Sequence, residues 1–159
     1  MRITNDDFCG TCCKGAFDCG VGLAPCKPAA REIAMHDLVN VESIPYDVLQ
    51  QGISWDWESF PEYLDALETK PRAIELAAQV PHGAVRTYVL GRSGNVNRPA
   101  TRKEVDEMAA LTQEAVEAGA VAFSTNRIAL HVSTNGEAVP GTFADKDEIL
   151  ALVRATQTG

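Results

Sequence analysis

The chain has 159 residues, 45% of them hydrophobic and 23% charged, which is room for one domain with a core of its own. Its net charge of −8 is spread along the sequence, excluding partners that need a basic surface, nucleic acid and anionic membrane among them. No apolar run approaches the ~18–20 residues that span a bilayer, and Met1–Asp7 has no apolar signal-peptide core. A reducing cytoplasm is therefore the expected compartment, and the odd count of five cysteines argues against a closed disulfide framework.

The first 30 residues carry all five cysteines among glycines and prolines and show no sustained period, so a loop is expected. Residues 38–56 are mixed and give no assignment. Ser59-Phe60-Pro61-Glu62 predicts a helix start. Ser59 is the N-cap, Glu62 closes a capping box, and Pro61 is tolerated in a first turn. Phe60, Tyr63, Leu64 and Leu67 then fall on one face, and Lys70-Pro71 ends the helix. Residues 73–80 are short and apolar, and periodicity does not separate a buried strand from a helix. Pro81-His82-Gly83 breaks the pattern. "AVRTYVLG" reads as a short helix or a strand, and residues 92–100 as a loop.

The clearest element runs from Thr101 to Ala118. Thr101 and Glu104 form a second capping box, and Val105, Met108, Thr112, Ala115 and Val116 make an apolar stripe. Gly119 stands where a left-handed residue closes a helix. "GAVAFST" follows, a run suited to a buried parallel strand. Residues 125–142 read as a long polar loop with an Asn135-Gly136 turn. Asp145 and Glu148 open a last amphipathic helix through Ile149, Leu152 and Val153. Helix, glycine, buried strand, long loop, helix is the rhythm of an α/β chain with parallel strands. A closed α/β barrel needs about 250 residues, so these elements suggest part of a larger architecture.

Several stretches carry a resemblance to a known family: "DCGVGLAPCKP" (18–28), "GISWDWESFPEYLDALE" (52–68), "HGAVRTYVLG" (82–91), "TRKEVDEMAALTQEAVEAGAVAFST" (101–125) and "GEAVPGTFADKDEILAL" (136–152). In order and spacing the chain resembles the N-acyl-D-amino-acid deacylases (D-aminoacylases) of the amidohydrolase superfamily. The resemblance implies a fold and a division of the chain. Residues 18–159 correspond to a fragment of a metal-dependent (β/α)8 barrel, incomplete in this chain. Residues 1–17 depart from the family pattern as an atypical N-terminal segment.

It also implies an activity, zinc-dependent hydrolysis of the amide bond of an N-acyl-D-amino acid. In that chemistry zinc activates water against the acyl carbonyl, and a carboxylate passes the proton to the leaving amine. The family's His-x-His pair belongs before residue 1. Its further metal histidines and catalytic aspartate belong after residue 159. The chain alone is therefore expected to be inactive.

Carried onto this sequence, the family's metal-binding cysteine falls on Cys19, with Asp18 in place of the usual asparagine. Thiolate is a good zinc ligand, though one thiolate does not make a site. Ser124, Thr125 and Arg127, after the strand "AVAF", fall near the family's substrate, where an arginine suits a carboxylate. The other reading of Arg127 is a loop residue paired with an acid. No catalytic residue is assigned: Asp56 and Glu58 are acids by type only, and no HExxH or His-x-His occurs. His82 is expected to be a hydrogen-bonded structural residue, with His36 and His131 solvated. Trp55 and Trp57 alternate, which points them to opposite sides of an extended segment.

Two alternatives stay open. One is a non-catalytic module that associates with itself or with a partner through unfinished sheet edges. The other is a small zinc module built on Cys9, Cys12, Cys19 and Cys26, which has one CxxC but no second close pair. Otherwise Cys9, Cys12, Cys13 and Cys26 read as unpaired thiols.

Overall fold

The computed structural model describes residues 20–71, 73, 76–91 and 97–158. Cys9, Cys12, Cys13 and Cys19 lie outside them. A 3-10 turn, Pro28–Ala30, leads into α1 (Arg31–Val41), which is followed by α2 (Tyr46–Gly52) and α3 (Phe60–Thr69). Strand β1 (Gln79–Pro81) runs directly into α4 (His82–Leu90). Then come α5 (Arg102–Ala118), β2 (Ala122–Ser124), α6 (Lys146–Ala155) and a closing 3-10 turn, Thr156–Thr158. The two strands pair in parallel, Gln79 with Ala122, Val80 with Phe123 and Pro81 with Ser124. Helices α4 and α5 make the crossover that parallel pairing requires.

The strongest local signals form as expected. Ser59 and Thr101 each accept from the backbone N–H three residues on, and Glu62 and Glu104 reach back to complete both capping boxes. Gly119 closes α5 at φ 122°. On α5, Met108, Thr112 and Ala115 are buried; Met108 and Ala115 join Val80, Val85, Phe60 and Leu152 in the main core. Burial of side chains such as Met108 and Leu152 contributes roughly 1.5–3 kcal/mol each. A second cluster, Val21, Met35, Leu38, Leu49 and Val139, joins α1 and α2 to the loop after β2.

Other expectations are corrected. Residues 31–41 and 46–52 are helical, where the sequence gave no assignment. Neither helix has a side-chain N-cap, and the buried face of α1 includes Asp37 beside Met35 and Leu38, which spoils the apolar period. Pro81-His82-Gly83 does not break the chain but converts strand to helix. Pro81 is the N-cap of α4 at φ −83°, and "AVRTYVLG" continues that helix. The polar loop after β2 contains an antiparallel bridge, Val132 with Ala138. Its last four residues, 139–142, are buried.

Trp55 and Trp57 do not diverge. Trp55 takes φ 55°, which brings the two rings within 5.6 Å; Trp57 donates its Nε1–H to the Leu23 carbonyl at 2.9 Å. Val153 is 40% exposed and lies off the buried face of α6. Among the described residues no helix is long and apolar enough to cross a membrane.

Candidate functional site at the strand ends

Because β1 and β2 are parallel, their last residues, Pro81 and Ser124, emerge side by side. The residues that follow meet: His82 Nδ1 lies 2.9 Å from Thr125 Oγ1. His82 also opens α4, and its Nε2 lies 2.8 Å from Glu148 Oε1 on α6. Arg86 is one turn further along α4 on the same face. It donates to both oxygens of Glu148 and, through its other terminal nitrogen, to the Arg98 carbonyl ahead of α5. His82, Arg86 and Glu148 are each 1% exposed. Burial alone would raise the Glu148 carboxyl, but the hydrogen bonds from His82 and Arg86 outweigh it and hold the group below the usual carboxylate range.

Backbone without side chains lets this cluster close. Gly141, at φ 98°, lies so near His82 that a Cβ there would stand 2.8 Å from Nδ1. Gly20, at φ 67°, packs on the Thr125–Asn126 backbone, where a Cβ would meet the Asn126 nitrogen at 2.8 Å. Gly20 also accepts from the Gly83 N–H at 2.9 Å. The loop that begins at Gly20 is thereby held against the ends of both strands. Ser124 and Pro81 further line an open cleft of about 350 Å³, walled mostly by apolar side chains such as Val21, Leu23 and Phe60.

The sequence-derived residues are distributed as follows. Ser124 is buried at the end of β2, Thr125 is partly exposed beside His82, and Arg127 is exposed in the loop. Cys19 lies outside the described residues. His82 is hydrogen-bonded and buried, as expected. His36 and His131, expected to be solvated, are partly buried and partnered. His36 stacks on Tyr46 at 4.7 Å and its Nδ1 lies 3.0 Å from Thr134 Oγ1, and His131 Nδ1 lies 2.8 Å from Asn126 Nδ2. Cys26 is buried and free, and burial pushes its thiol up to about 11. It is therefore protonated at neutral pH and poorly suited to bind metal. Arg86 and the inward role of Glu148 were missed. An arginine in the apolar run "AVRTYVLG" signals a buried partner but does not say which.

The described residues do not fit a resident metal. They hold no group of three or more His, Cys, Asp or Glu side chains able to ligate one, and both ring nitrogens of His82 are already engaged.

Comparison with known proteins places the chain. No family model matches it. It is 34% identical to the D-aminoacylase of Alcaligenes xylosoxydans xylosoxydans over 108 residues, 68% of this chain and 19% of that protein. An N-acyl-D-aspartate deacylase of the same organism is 32% identical over the same shares. In structure it superposes on a D-aminoacylase described as defining a novel subset of amidohydrolases. That match has a TM-score of 0.62 and 29% identity, and covers 89% of this chain and 25% of that one. A second D-aminoacylase structure, concerned with the role of its binuclear metal center, matches with TM-score 0.59 and 28% identity, over 87% and 24% of the two chains. The helices and the parallel strand pair thus follow one stretch of an amidohydrolase fold. Within that class the chain belongs with the D-aminoacylases, the N-acyl-D-amino-acid deacylases, as a homologue of part of their length. It spans about a fifth of the curated relatives it matches.

Proposed function

We propose that the chain carries the strand-end segment of a zinc-dependent barrel enzyme that hydrolyses N-acyl-D-amino acids, and that it has no turnover by itself. The observation that carries this reading is the 34% identity to a D-aminoacylase, together with strand ends that converge on a buried polar cluster. Residues 18–159 form, in this proposal, an incomplete (β/α)8 barrel, with residues 1–17 outside its pattern. Active-site groups of such barrels collect at the strand C-termini, where Ser124 and Thr125 stand. Ser124, Thr125 and Arg127 are the proposed substrate contacts.

Cys19 is the proposed inherited metal-ligand position. Its chain neighbour Gly20 supports this, being held at the ends of both strands. The described residues hold no group of three or more further His, Cys, Asp or Glu side chains to complete such a site. The unpaired Cys26 thiol accords with a reducing cytoplasm.

The test is an assay of the purified chain with zinc and N-acetyl-D-methionine. No hydrolysis is expected; zinc-dependent release of D-methionine would show that this stretch is sufficient by itself. Among the described residues each strand pairs on one side only, which supports the second reading, self-association through sheet edges. Size-exclusion chromatography checks it: a compact monomer at all concentrations removes that reading.

A further inference from the structure

The direction of the hydrogen bond at Thr125 follows from the groups behind it. Glu148 is a carboxylate with both oxygens turned to Arg86, and an ionised carboxylate only accepts. The imidazole nitrogen 2.8 Å from it, Nε2, therefore carries a proton; the opposite tautomer would set a nitrogen lone pair against the carboxylate. Two forms of His82 remain, the neutral ring with its proton on Nε2 and the imidazolium. Arg86 and Glu148 already cancel in charge. An imidazolium would add a net positive charge among side chains that are 1% exposed, a costly arrangement in a desolvated site. The Gly141 backbone and the tilted Phe123 ring, at 5.6 Å, fix the plane of the imidazole.

We propose that Glu148 and Arg86 hold His82 as the neutral Nε2–H tautomer, so that Thr125 donates its hydroxyl proton to Nδ1 and offers its oxygen lone pairs at the strand ends to an N–H donor of the ligand. Thr125 is then a specificity-determining contact, and His82 and Glu148 are positioning residues that act through it. The ligand's identity rests on the deacylase reading, in which the donor is the amide N–H of an N-acyl-D-amino acid; the hydroxyl's direction does not. A ligand whose matching atom is an ester oxygen has no proton to give and is disfavoured.

The test is a nitrogen–proton correlation spectrum of the histidine rings in the full chain at pH 7, assigned with His36→Gln and His131→Gln. The expected result is a His82 ring protonated at Nε2 and bare at Nδ1. A doubly protonated ring, or one protonated at Nδ1, overturns the proposal, and the wild-type spectrum alone decides this. Thr125→Val should move the Nδ1 resonance toward that of an unbonded acceptor, and Thr125→Ser should restore it. A folded Thr125→Val variant with an unmoved resonance also overturns it. N-acetyl-D-methionine is then added. A shifted His82 resonance supports the ligand assignment. An unchanged resonance on the expected tautomer overturns that assignment, while the hydroxyl's direction stands supported and the deacylase reading, which rests on the likeness to D-aminoacylases, is untouched.

Discussion

Three glutamates occupy the same helical slot, and one behaves differently. Glu62, Glu104 and Glu148 each sit three residues after an N-cap, Ser59, Thr101 and Asp145. Glu62 and Glu104 turn back to their own N-caps. Glu148 turns inward to His82 and Arg86, leaving the Asp145 side chain to accept from its N–H. The position in the helix is shared, so burial and distant donors decide. Glu62 is exposed, and Glu104 keeps 19% of its side-chain surface while pairing with the half-open Arg98 at 2.5 Å. Glu148 has 1% and must satisfy an arginine and a histidine that are equally buried. A local cap and a buried hub can therefore share one sequence pattern.

The largest effect that sharpens this comparison is expected at Glu148. Glu148→Gln leaves Arg86 buried without its counter-charge, a loss of about 3–5 kcal/mol in urea unfolding. A loss no greater than that of Glu62→Gln would put all three glutamates in one class.

Next in size is a contrast in pH dependence. Burial pushes the Asp37 carboxyl up to about 6 from 3.8, against a hydrogen bond from Ser133. A raised acid folds best when neutral, so its contribution is full below pH 4 and declines as pH rises through 6. Roughly 3 kcal/mol is involved, at 1.36 kcal/mol per unit. Glu104, held down to about 2 chiefly by Arg98, and Glu148 have the opposite sign. Their contributions are present above about pH 4.5, their ordinary value, and are lost as pH falls. Asp37→Asn is expected to flatten the stability profile between pH 4 and 6, measured by thermal unfolding; an unaltered profile would show that Asp37 does not titrate there. The smallest effect is at the caps: Thr101→Ala is expected to cost about 1 kcal/mol, and an equal loss for Thr101→Ala and Glu148→Gln would erase the distinction between cap and hub.

What was legible in the sequence follows the same division. The capping boxes and Gly119 could be read because every partner lies within a few residues. Strand β2 was legible as a short apolar run directly after a helix-closing glycine. Helix α1 was not, since Asp37 interrupts its apolar face and is hydrogen-bonded by Ser133, nearly a hundred residues on. The hub was hidden for the same reason: His82 and Arg86 find Glu148 at separations of 66 and 62 residues. Thr125 was located through the family resemblance, but its bond to His82 depends on the parallel register that brings Pro81 beside Ser124.

The most direct measurement of the central claim uses a D-aminoacylase whose matched stretch is replaced by the corresponding residues of this chain, including Cys19, assayed with zinc and N-acetyl-D-methionine. Zinc-dependent hydrolysis that disappears on Cys19→Ala is the expected result. A folded chimera without turnover, or one indifferent to Cys19→Ala, would contradict the account.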